Sequence, residues 1–297
     1  MDFITKQREL SDRVRAYDET ISADATKLQR WINLSVKEIS GEWNWPWLRD
    51  FIPVQTVIDI TTGTLTATTG STSITFSSAP SVSVAGRFIQ TSDSNDWYEI
   101  SAHTAASTSA TLAQNYLGTG GSGLTYTVRA FFYSVDSSVD RIISAAQSLT
   151  PQVLTPLDHI AYDESMVFSS TTGTPRAYYT YGLDSSQYWQ VGFYPTPDAT
   201  INVWLKVLKK ETDMSADSNT PLIPAKYHDV ILDLASFYAF SSLDDSRATT
   251  FYQKYQVGLE RMKRTCNPQT KTRNVMRACD EGPSDEFGVR LPDEFGR

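Results

Sequence analysis

The feature that most constrains this chain is a long stretch that is almost free of charge. Ser, Thr and Gly dominate residues 62–128, and short runs such as TSITF, GRFIQ and WYEIS alternate apolar with polar residues between turn residues. Only four residues of the stretch are charged: Arg87, Asp93, Asp96 and Glu99. Low charge combined with a high Ser and Thr content is also compatible with a disordered linker, but period-two alternation favours strands. We therefore predict a small antiparallel β-sandwich or barrel domain, inserted over residues 56–133.

Helical periodicity precedes this stretch. In SADATKLQRWINLSVKEISG, apolar residues recur every three or four positions, which predicts an amphipathic helix. Ser22 is the expected N-cap, and Gly41 is the expected stop. A less periodic helix is expected over residues 3–18. The following EWNWPWL contains Pro46 between tryptophans, so the chain must leave the helix there.

Two further patterns follow the low-charge stretch. QVGFYPTPDATINVWLKVLKK places two alternating runs around a Pro-rich turn, which predicts a β-hairpin. Two helices, each with an apolar stripe, are predicted next, forming an antiparallel hairpin that ends at about residue 265. Pro224 is expected at the start of the first of these helices. The expected fold class is α+β, with a core made of a bundle of antiparallel helices plus the β-hairpin. The expected domains are N-terminal helices over 1–55, the β insertion over 56–133, a core with the helical hairpin over 134–265, and an extended tail over 266–297.

Short motifs give no cofactor or metal site. Gly118, Gly120 and Gly123 form a G-x-G-x-x-G pattern, but a nucleotide site needs a helix directly after it, and here LTYTVRAFF predicts a strand. We interpret the glycines as a hairpin loop. The acidic residues of DSNDWYE lack the spacing of a calcium loop and are interpreted as a turn.

Nucleophilic catalysis is not indicated either. His103, His159 and His228 are scattered over separate predicted elements, and no G-x-S-x-G motif is present. Cys266 and Cys279 have no histidine nearby, so they predict reduced thiols and neither a zinc site nor a disulfide framework. We predict that the protein is not an enzyme and carries no cofactor or metal.

The charge balance limits the partners. The chain has 26 Lys and Arg against 34 Asp and Glu, a net charge of −8. A protein that grips DNA phosphates is expected to be basic, whereas this balance suits a surface past which DNA slides. Neither a signal peptide nor an apolar run of the ~20 residues needed for a membrane helix is present. Synthesis in a cytoplasm and no membrane contact are expected.

The last residues, DEFGVRLPDEFGR, repeat one short motif. Gly288, Pro292 and Gly296 oppose helix formation, so Phe287 and Phe295 have no predicted element to hold them. A segment of this kind is expected to become ordered against a partner.

The order of several segments resembles one known family. LQRWINLSVKEISGEWNWPWL, SSVDRIIS, TTGTPRAYYTYG, VGFYPTPD and PLIPAKYHDVILDLASFYAF are similar, in this order, to the head-to-tail adaptor proteins of tailed bacteriophages, also called connector or head completion proteins. The resemblance covers roughly residues 1–55 and 134–264. Members of that family also carry β insertions, which vary in size.

The resemblance implies a structural role at the neck of the virion. Family members form a ring, commonly of twelve copies, between the portal protein and a tail or nozzle protein, and DNA runs through the lumen. Their C-terminal segment docks on the portal. This implies a portal-docking interface in the tail of the present chain, made by Phe287, Arg290, Leu291, Phe295 and Arg297.

Two other function classes stay open at this level. A carbohydrate-binding tail or fibre protein is suggested by the Ser/Thr-rich insertion and by aromatic residues that can stack on sugars: Tyr178, Tyr179, Tyr181, Tyr188 and Trp189. A tail-associated glycan hydrolase would need two carboxylates flanking a cleft. The predicted C-terminal helical hairpin favours the adaptor over a fibre.

Overall fold

A computed structural model describes residues 1–18, 20–148, 152–158 and 171–266. The four described α-helices are α1 (Phe3–Val14), α2 (Ser22–Gly41), α3 (His228–Ser241) and α4 (Arg247–Cys266). The strands of the first half are β1 (Arg49–Gln55), β2 (Leu65–Ala67), β3 (Ser73–Phe76), β4 (Phe88–Thr91), β5 (Tyr98–His103), β6 (Ser109–Leu112), β7 (Gly121–Leu124) and β8 (Tyr126–Arg129). The later strands are β9 (Phe132–Ser134), β10 (Val139–Gln147), β11 (Gln152–Val153), β12 (Thr155–Pro156), β13 (Thr172–Gly173), β14 (Ala177–Leu183), β15 (Trp189–Tyr194), β16 (Thr196–Pro197) and β17 (Asn202–Lys209).

The chain divides into two compact units. A helical unit combines Met1–Leu48 with the chain from Lys210 onward, and a β unit comprises Arg49–Lys209. The four-part division expected from the sequence stays a prediction.

Helix α3 is the centre of the helical unit. It contacts α1, α2 and α4, and most of its side chains are buried, including Ile231, Leu234 and Phe240. Helix α4 buries only Tyr255, Leu259 and Met262. A helix that is apolar on all sides belongs in a core, whereas a single apolar stripe leaves the other faces exposed. Helix α4 is therefore peripheral.

Helix α2 spans the residues that the periodicity predicted, Ser22–Gly41, and Leu28, Ile32 and Val36 of its stripe are buried. Ser22 is wrong as the N-cap, because Ile21 occupies that position and no side chain caps the helix. After Gly41 the chain turns into a short 3-10 helix, Pro46–Leu48.

Strands β2 to β8 form one seven-stranded antiparallel sheet in the order β7-β2-β3-β6-β5-β4-β8. The sheet curves into a nearly closed barrel. Its inward-facing side chains form one core: Leu65, Ala67, Ile74, Phe76, Val84, Ile89, Tyr98, Ile100, Ala110, Leu112, Tyr116, Tyr126 and Val128. Along β3 and β6, buried and exposed residues alternate strictly. The alternation that predicted strands is confirmed.

The chain enters and leaves this sheet at one point. Ile60 and Val128 exchange two backbone hydrogen bonds, each 2.9 Å long. Beside them the guanidinium of Arg129 binds the carboxylate of Asp59, with an Nη2–Oδ2 distance of 2.6 Å. Trp97 lies against the same guanidinium and against Phe131.

The predicted fold class is wrong. The protein is mostly β and only 29% helical, so a helical bundle is not its core. Outside the seven-stranded sheet, a four-stranded sheet has the order β1-β17-β10-β11, another has the order β12-β14-β15-β9, and β13 pairs with β16. Strands β9 to β14 come from sequence that carries few alternating runs, so periodicity does not predict them.

The predicted hairpin is also wrong. Both of its strands exist, but β15 pairs with β14 and β9, whereas β17 pairs with β1 and β10. Between them lies the short strand β16, which pairs in parallel with β13. The segment that contains β16 connects the sheet of β15 to the sheet of β17. Alternation predicts that a strand has one buried face, but it does not specify the partner strand.

Candidate functional site: exposed apolar surfaces

An apolar row crosses the outer face of the four-stranded β1-β17-β10-β11 sheet. The pairing register aligns Pro53 with Trp204, Trp204 with Ala146, and Ala146 with Val153. The inner face of the same sheet buries Val54, Val203, Leu205 and Val207. Because side chains alternate between faces, the row lies on the opposite side of the sheet from this core.

The row is open to solvent. Trp204 is 42% exposed, and Phe51, on the same face of β1, is 61% exposed. Ile143 on β10 and Val153 on β11 are exposed too. Contiguous apolar patches of this kind mark interaction sites, and tryptophan is the residue most enriched where partners bind tightly. We call Phe51, Pro53, Ile143, Ala146, Val153 and Trp204 the sheet face.

The β1 edge of this sheet is poorly suited to pairing with another strand. The Thr56 amide donates a hydrogen bond of 2.9 Å to the Ile201 carbonyl. In an antiparallel pair every second residue bonds to the partner strand, so the backbone N–H and C=O groups at Phe51 and Pro53 point away from β17. Pro53 has no N–H, and the Phe51 amide donates to its neighbour, Asp50 Oδ1, at 2.8 Å. Proline and blocked amides are known defences against edge pairing. The sheet face, rather than the edge of β1, is the available surface.

The tyrosine-rich cluster divides into core and surface. Tyr178 and Tyr179 are buried, whereas Tyr181 and Tyr188 are exposed. Tyr181 stacks on Phe132 with ring centroids 4.4 Å apart. Trp189 donates from Nε1 to the Asp140 carbonyl at 2.7 Å. Tyr178 and Tyr179 therefore serve the core, and Tyr181 and Tyr188 are the exposed rings of this cluster that could stack on a sugar.

A groove runs between α3 and α4 of the helical unit. Its volume is about 640 Å³. Tyr227 and Val230 on the α3 side, and Val257 and Gly258 on the α4 side, make its floor apolar. Gly258 allows the two helices to approach closely, since a Cβ atom there would lie 2.8 Å from Val230 Cγ2. Val257 is 72% exposed. We call this feature the helical groove.

The α4 wall of the helical groove is positive, whereas the opposite wall carries both signs. Lys254 and Arg261 line the α4 wall, and Lys226, Asp229 and Asp233 line the α3 side. Arg13, which does not line the groove, binds Asp233 at 3.0 Å. Burial raises the pKa of Asp233 above its ordinary value, although Arg13 acts against this shift. The groove thus combines an apolar floor with a positive α4 side and an α3 side that presents two carboxylates and one cation.

The glycine-rich loop has a structural explanation. Asp93 accepts hydrogen bonds from the Tyr116 hydroxyl and from the Gly120 amide, the latter at 2.9 Å. Burial acts to raise the pKa of Asp93, but these hydrogen bonds outweigh it and lower the pKa below the ordinary value. Burial and Asp93 together raise the pKa of Tyr116 to about 12. Strand β7, not a helix, follows Gly120, so the nucleotide-site geometry is not formed.

The described histidines are bound to the backbone. His103 Nδ1 accepts from the Val84 amide at 3.2 Å, and its Nε2 donates to the Ser107 carbonyl at 3.0 Å. His228 is buried, and its Nε2 donates to the Ile223 carbonyl at 2.9 Å. Burial lowers the pKa of His228. His159 lies outside the described residues.

Within the described part of the chain, no three His, Cys, Asp or Glu side chains lie close enough together to hold a metal ion. Of the two cysteines, Cys266 ends α4 as a free thiol, 3.9 Å from the Tyr227 hydroxyl, and Cys279 lies outside the described residues. No described helix is both long and apolar enough to cross a membrane.

The residues predicted to dock on a portal also lie outside the described part of the chain. These are Phe287, Arg290, Leu291, Phe295 and Arg297. Their role stays a prediction.

Sequence reasoning missed the sheet face, although the signal was present. Ile201, Val203, Leu205 and Val207 mark the inward phase of β17, so Trp204 must point outward. A tryptophan on the polar phase of an amphipathic strand indicates an interaction surface. In α4, Val257 is likewise off the stripe of Tyr255, Leu259 and Met262.

Comparison with known proteins gives one match. A family model described as the SU10 adaptor protein matches residues 114–278, which include the sheet-face strands β10, β11 and β17 and the whole helical groove. No curated protein matches the chain significantly. The family model covers more than half of the chain, which confirms the resemblance to phage adaptors. The chain belongs to the SU10 adaptor protein family and is a structural adaptor protein of a bacteriophage.

Proposed function

We propose that this chain is one subunit of a dodecameric ring that lies below the portal, joins the phage head to the tail and continues the DNA channel. Family membership supports a structural role in the virion. The copy number and the position come from the resemblance to head-to-tail adaptors.

The observation that carries the proposal is the sheet face. A ring subunit needs exposed surfaces that are buried only in the assembly, and an aromatic anchor at the centre of such a surface contributes most of the binding energy. Trp204 has this position, because the register places it between Pro53 and Ala146 in the apolar row. We propose that the sheet face packs against the neighbouring copy in the ring.

The oligomeric state tests this contact. Light scattering of the chain, alone and mixed with its portal protein, is expected to detect a particle of twelve 33.2-kDa chains. Trp204→Ser is expected to weaken assembly at least tenfold, since losing a central aromatic anchor costs about 2 kcal/mol or more. Leu117→Ser is the matched control, because Leu117 is 72% exposed in the same unit but lies outside the sheet face. A chain that stays monomeric with the portal, or equal behaviour of the two variants, contradicts the proposal.

The C-terminal residues supply the portal contact in this proposal. Phe287 and Phe295 act as apolar anchors, Leu291 lies between them, and Arg290 and Arg297 pair with acidic groups of the portal. The net charge of −8 suits a lumen through which DNA slides without specific binding. A tail or nozzle protein binds the opposite side of the ring.

We also propose that the protein has no catalytic activity. The SU10 adaptor family is a structural one, and His103 and His228 are engaged with backbone groups. Turnover assays on peptidoglycan, polysaccharides and nucleoside triphosphates are expected to show no activity. Activity that disappears on changing His159 or His228 would contradict this expectation.

Carbohydrate binding is the alternative that a specific observation favours. Tyr181 and Tyr188 are exposed, and exposed aromatic rings can stack on sugars. Binding to host-surface glycans that is lost in the Tyr181→Ala, Tyr188→Ala double variant would support a role in host attachment. Retained ring assembly in the same variant would show that the two roles are separate.

A further inference from the structure

The helical groove lies directly beside the point where the described chain continues into its C-terminal segment. Its lining on α4 runs from Thr250 to Thr265, and Cys266 is the last residue of the helix. At 1.5 Å per residue this lining is about 22 Å long. Residues 267–297 follow immediately, so any ligand within that segment is tethered close to the groove.

The charge of the end of this segment complements the α4 wall. Residues 280–297 contain six acidic and two basic residues, whereas α4 contains five basic residues and one acidic residue. Of the α4 cations, Arg247 pairs with Asp245, and Lys263 pairs with Glu42. Arg261 has no ion-pair partner among the described residues.

The order of residues within the segment also matches the groove. In DEFGVR, Asp285 and Glu286 precede Phe287, and Arg290 follows. An apolar floor suits the phenyl ring, the Arg261 side suits the two carboxylates, and the Asp229 side suits Arg290. Aromatic side chains, phenylalanine included, are enriched in the buried cores of interfaces, and polar groups surround them at the rim.

We propose that the helical groove binds the C-terminal segment of its own chain, with Phe287 on the floor beside Val257. The tether is long enough: twenty extended residues reach about 65 Å, while Val257 lies about 14 Å along α4 from Cys266. Tethering raises the effective concentration to about the millimolar range, so a weak intrinsic contact suffices. The segment is thereby held on the free subunit until a portal binding site replaces the groove.

Disulfide trapping in the full-length chain tests the proposal without a portal. In a background of Cys266→Ser and Cys279→Ser, the pair Gln253→Cys and Gly288→Cys, which keeps Val257 and Phe287, is equilibrated in a glutathione buffer. Gln253 lines the groove. We expect an intramolecular disulfide at least tenfold more stable than that of the control pair Thr249→Cys and Gly288→Cys. Thr249 is exposed on the same helix but does not line the groove.

A charge reversal tests the orientation. Arg261→Glu is expected to lower the yield of the trapped species severalfold, and adding Glu286→Arg is expected to restore it. Equal stability of the trapped and control disulfides, disulfides that form mainly between two chains, or no response to the charge changes would each overturn the proposal. Portal co-purification, measured separately, tests the docking role of the same segment independently.

Discussion

At the residue scale, the most unusual group is Lys6, whose side chain is fully buried in the helical unit. Its Nζ donates a hydrogen bond to the Met1 carbonyl. Burial lowers the pKa of Lys6 to about 8, although Asp2 acts against this shift. The proton is therefore held more tightly by the unfolded chain than by the folded one, and the burial of the charge opposes folding below about pH 8.

Replacing Lys6 is expected to stabilise the protein. In the wild type, the free energy of unfolding is expected to rise as pH increases from 8 to 10, because the folded state loses this proton first. In Lys6→Met that rise disappears, and at pH 7 the variant is more stable by ~1–3 kcal/mol, since a buried charge is exchanged for an apolar chain. Urea titrations at several pH values measure both effects. An unchanged pH slope would show that Lys6 is not the titrating group.

Gly192 is the most constrained glycine of the β unit. It faces Tyr179 across the β14–β15 pair, and a Cβ atom at position 192 would lie 2.0 Å from Tyr179 Cε1. Gly192→Ala is expected to destabilise the protein by ~1–3 kcal/mol, because the buried Tyr179 ring must move. Gly41→Ala, at the end of α2 in open space, is the control and is expected to be neutral or slightly stabilising. Thermal unfolding measures the stability of both variants. A lower melting temperature for Gly192→Ala alone would support the steric contact with Tyr179, whereas equal losses in both variants would contradict it.

At the scale of elements, the seven-stranded sheet is joined to the remaining chain through one narrow connection. The pairing of Ile60 with Val128 places the entry and exit strands side by side, and the sheet has its own core. A segment with adjacent ends and an independent core can be removed without stretching the rest of the chain.

Deleting the sheet is therefore expected to leave a folded protein. Residues 60–128 are replaced with a short Gly/Ser linker, and Phe131→Ser is added because the deletion removes Trp97 and Phe88, which cover Phe131. We expect this variant to retain cooperative unfolding and portal binding. We also propose that the sheet contacts the tail protein, so the variant is expected not to recruit tail components. Loss of all cooperative unfolding would contradict the independence of the sheet, and unaffected tail attachment would contradict its contact with the tail.

At the scale of the whole molecule, the two described surfaces with proposed roles lie in different units. The sheet face belongs to the β unit, and the helical groove belongs to the helical unit. Because ring assembly is assigned to the sheet face and portal docking to residues 287–297, we expect the two processes to respond to different substitutions.

Truncation after Cys266 tests this separation. The buried residues of α4 end at Met262, so the helical unit is expected to stay folded. The truncated chain is expected to lose portal binding. The Phe287→Ala, Phe295→Ala double variant is expected to bind the portal more weakly than either single variant, because each buried phenylalanine contributes ~1.5–3 kcal/mol. Co-purification with portal measures docking, and light scattering measures self-assembly. A truncated chain that binds portal normally would refute the docking role.

The sequence alone predicted the features that depend on neighbouring residues. The extent of α2, the packing of α3 on α4 and the alternation of β3, β6 and β17 all follow from periodicities of 3.6 or 2. The family also followed from short segments in a fixed order, as the match to residues 114–278 confirms. Such local signals are present in the chain before any tertiary contact forms.

Only the tertiary structure decided which strands pair and what remains exposed. β15 and β17 lie in different sheets, although seven residues separate them, because an alternating strand gains similar burial beside any partner that covers its apolar face. The sheet face and the helical groove arise in the same way. Trp204, Pro53, Ala146 and Val153 form one row only through long-range register, and Gly258 forms a groove floor only because α3 lies against it. Pairing and docking of distant segments are set by the free energy of the whole fold, which no local pattern contains.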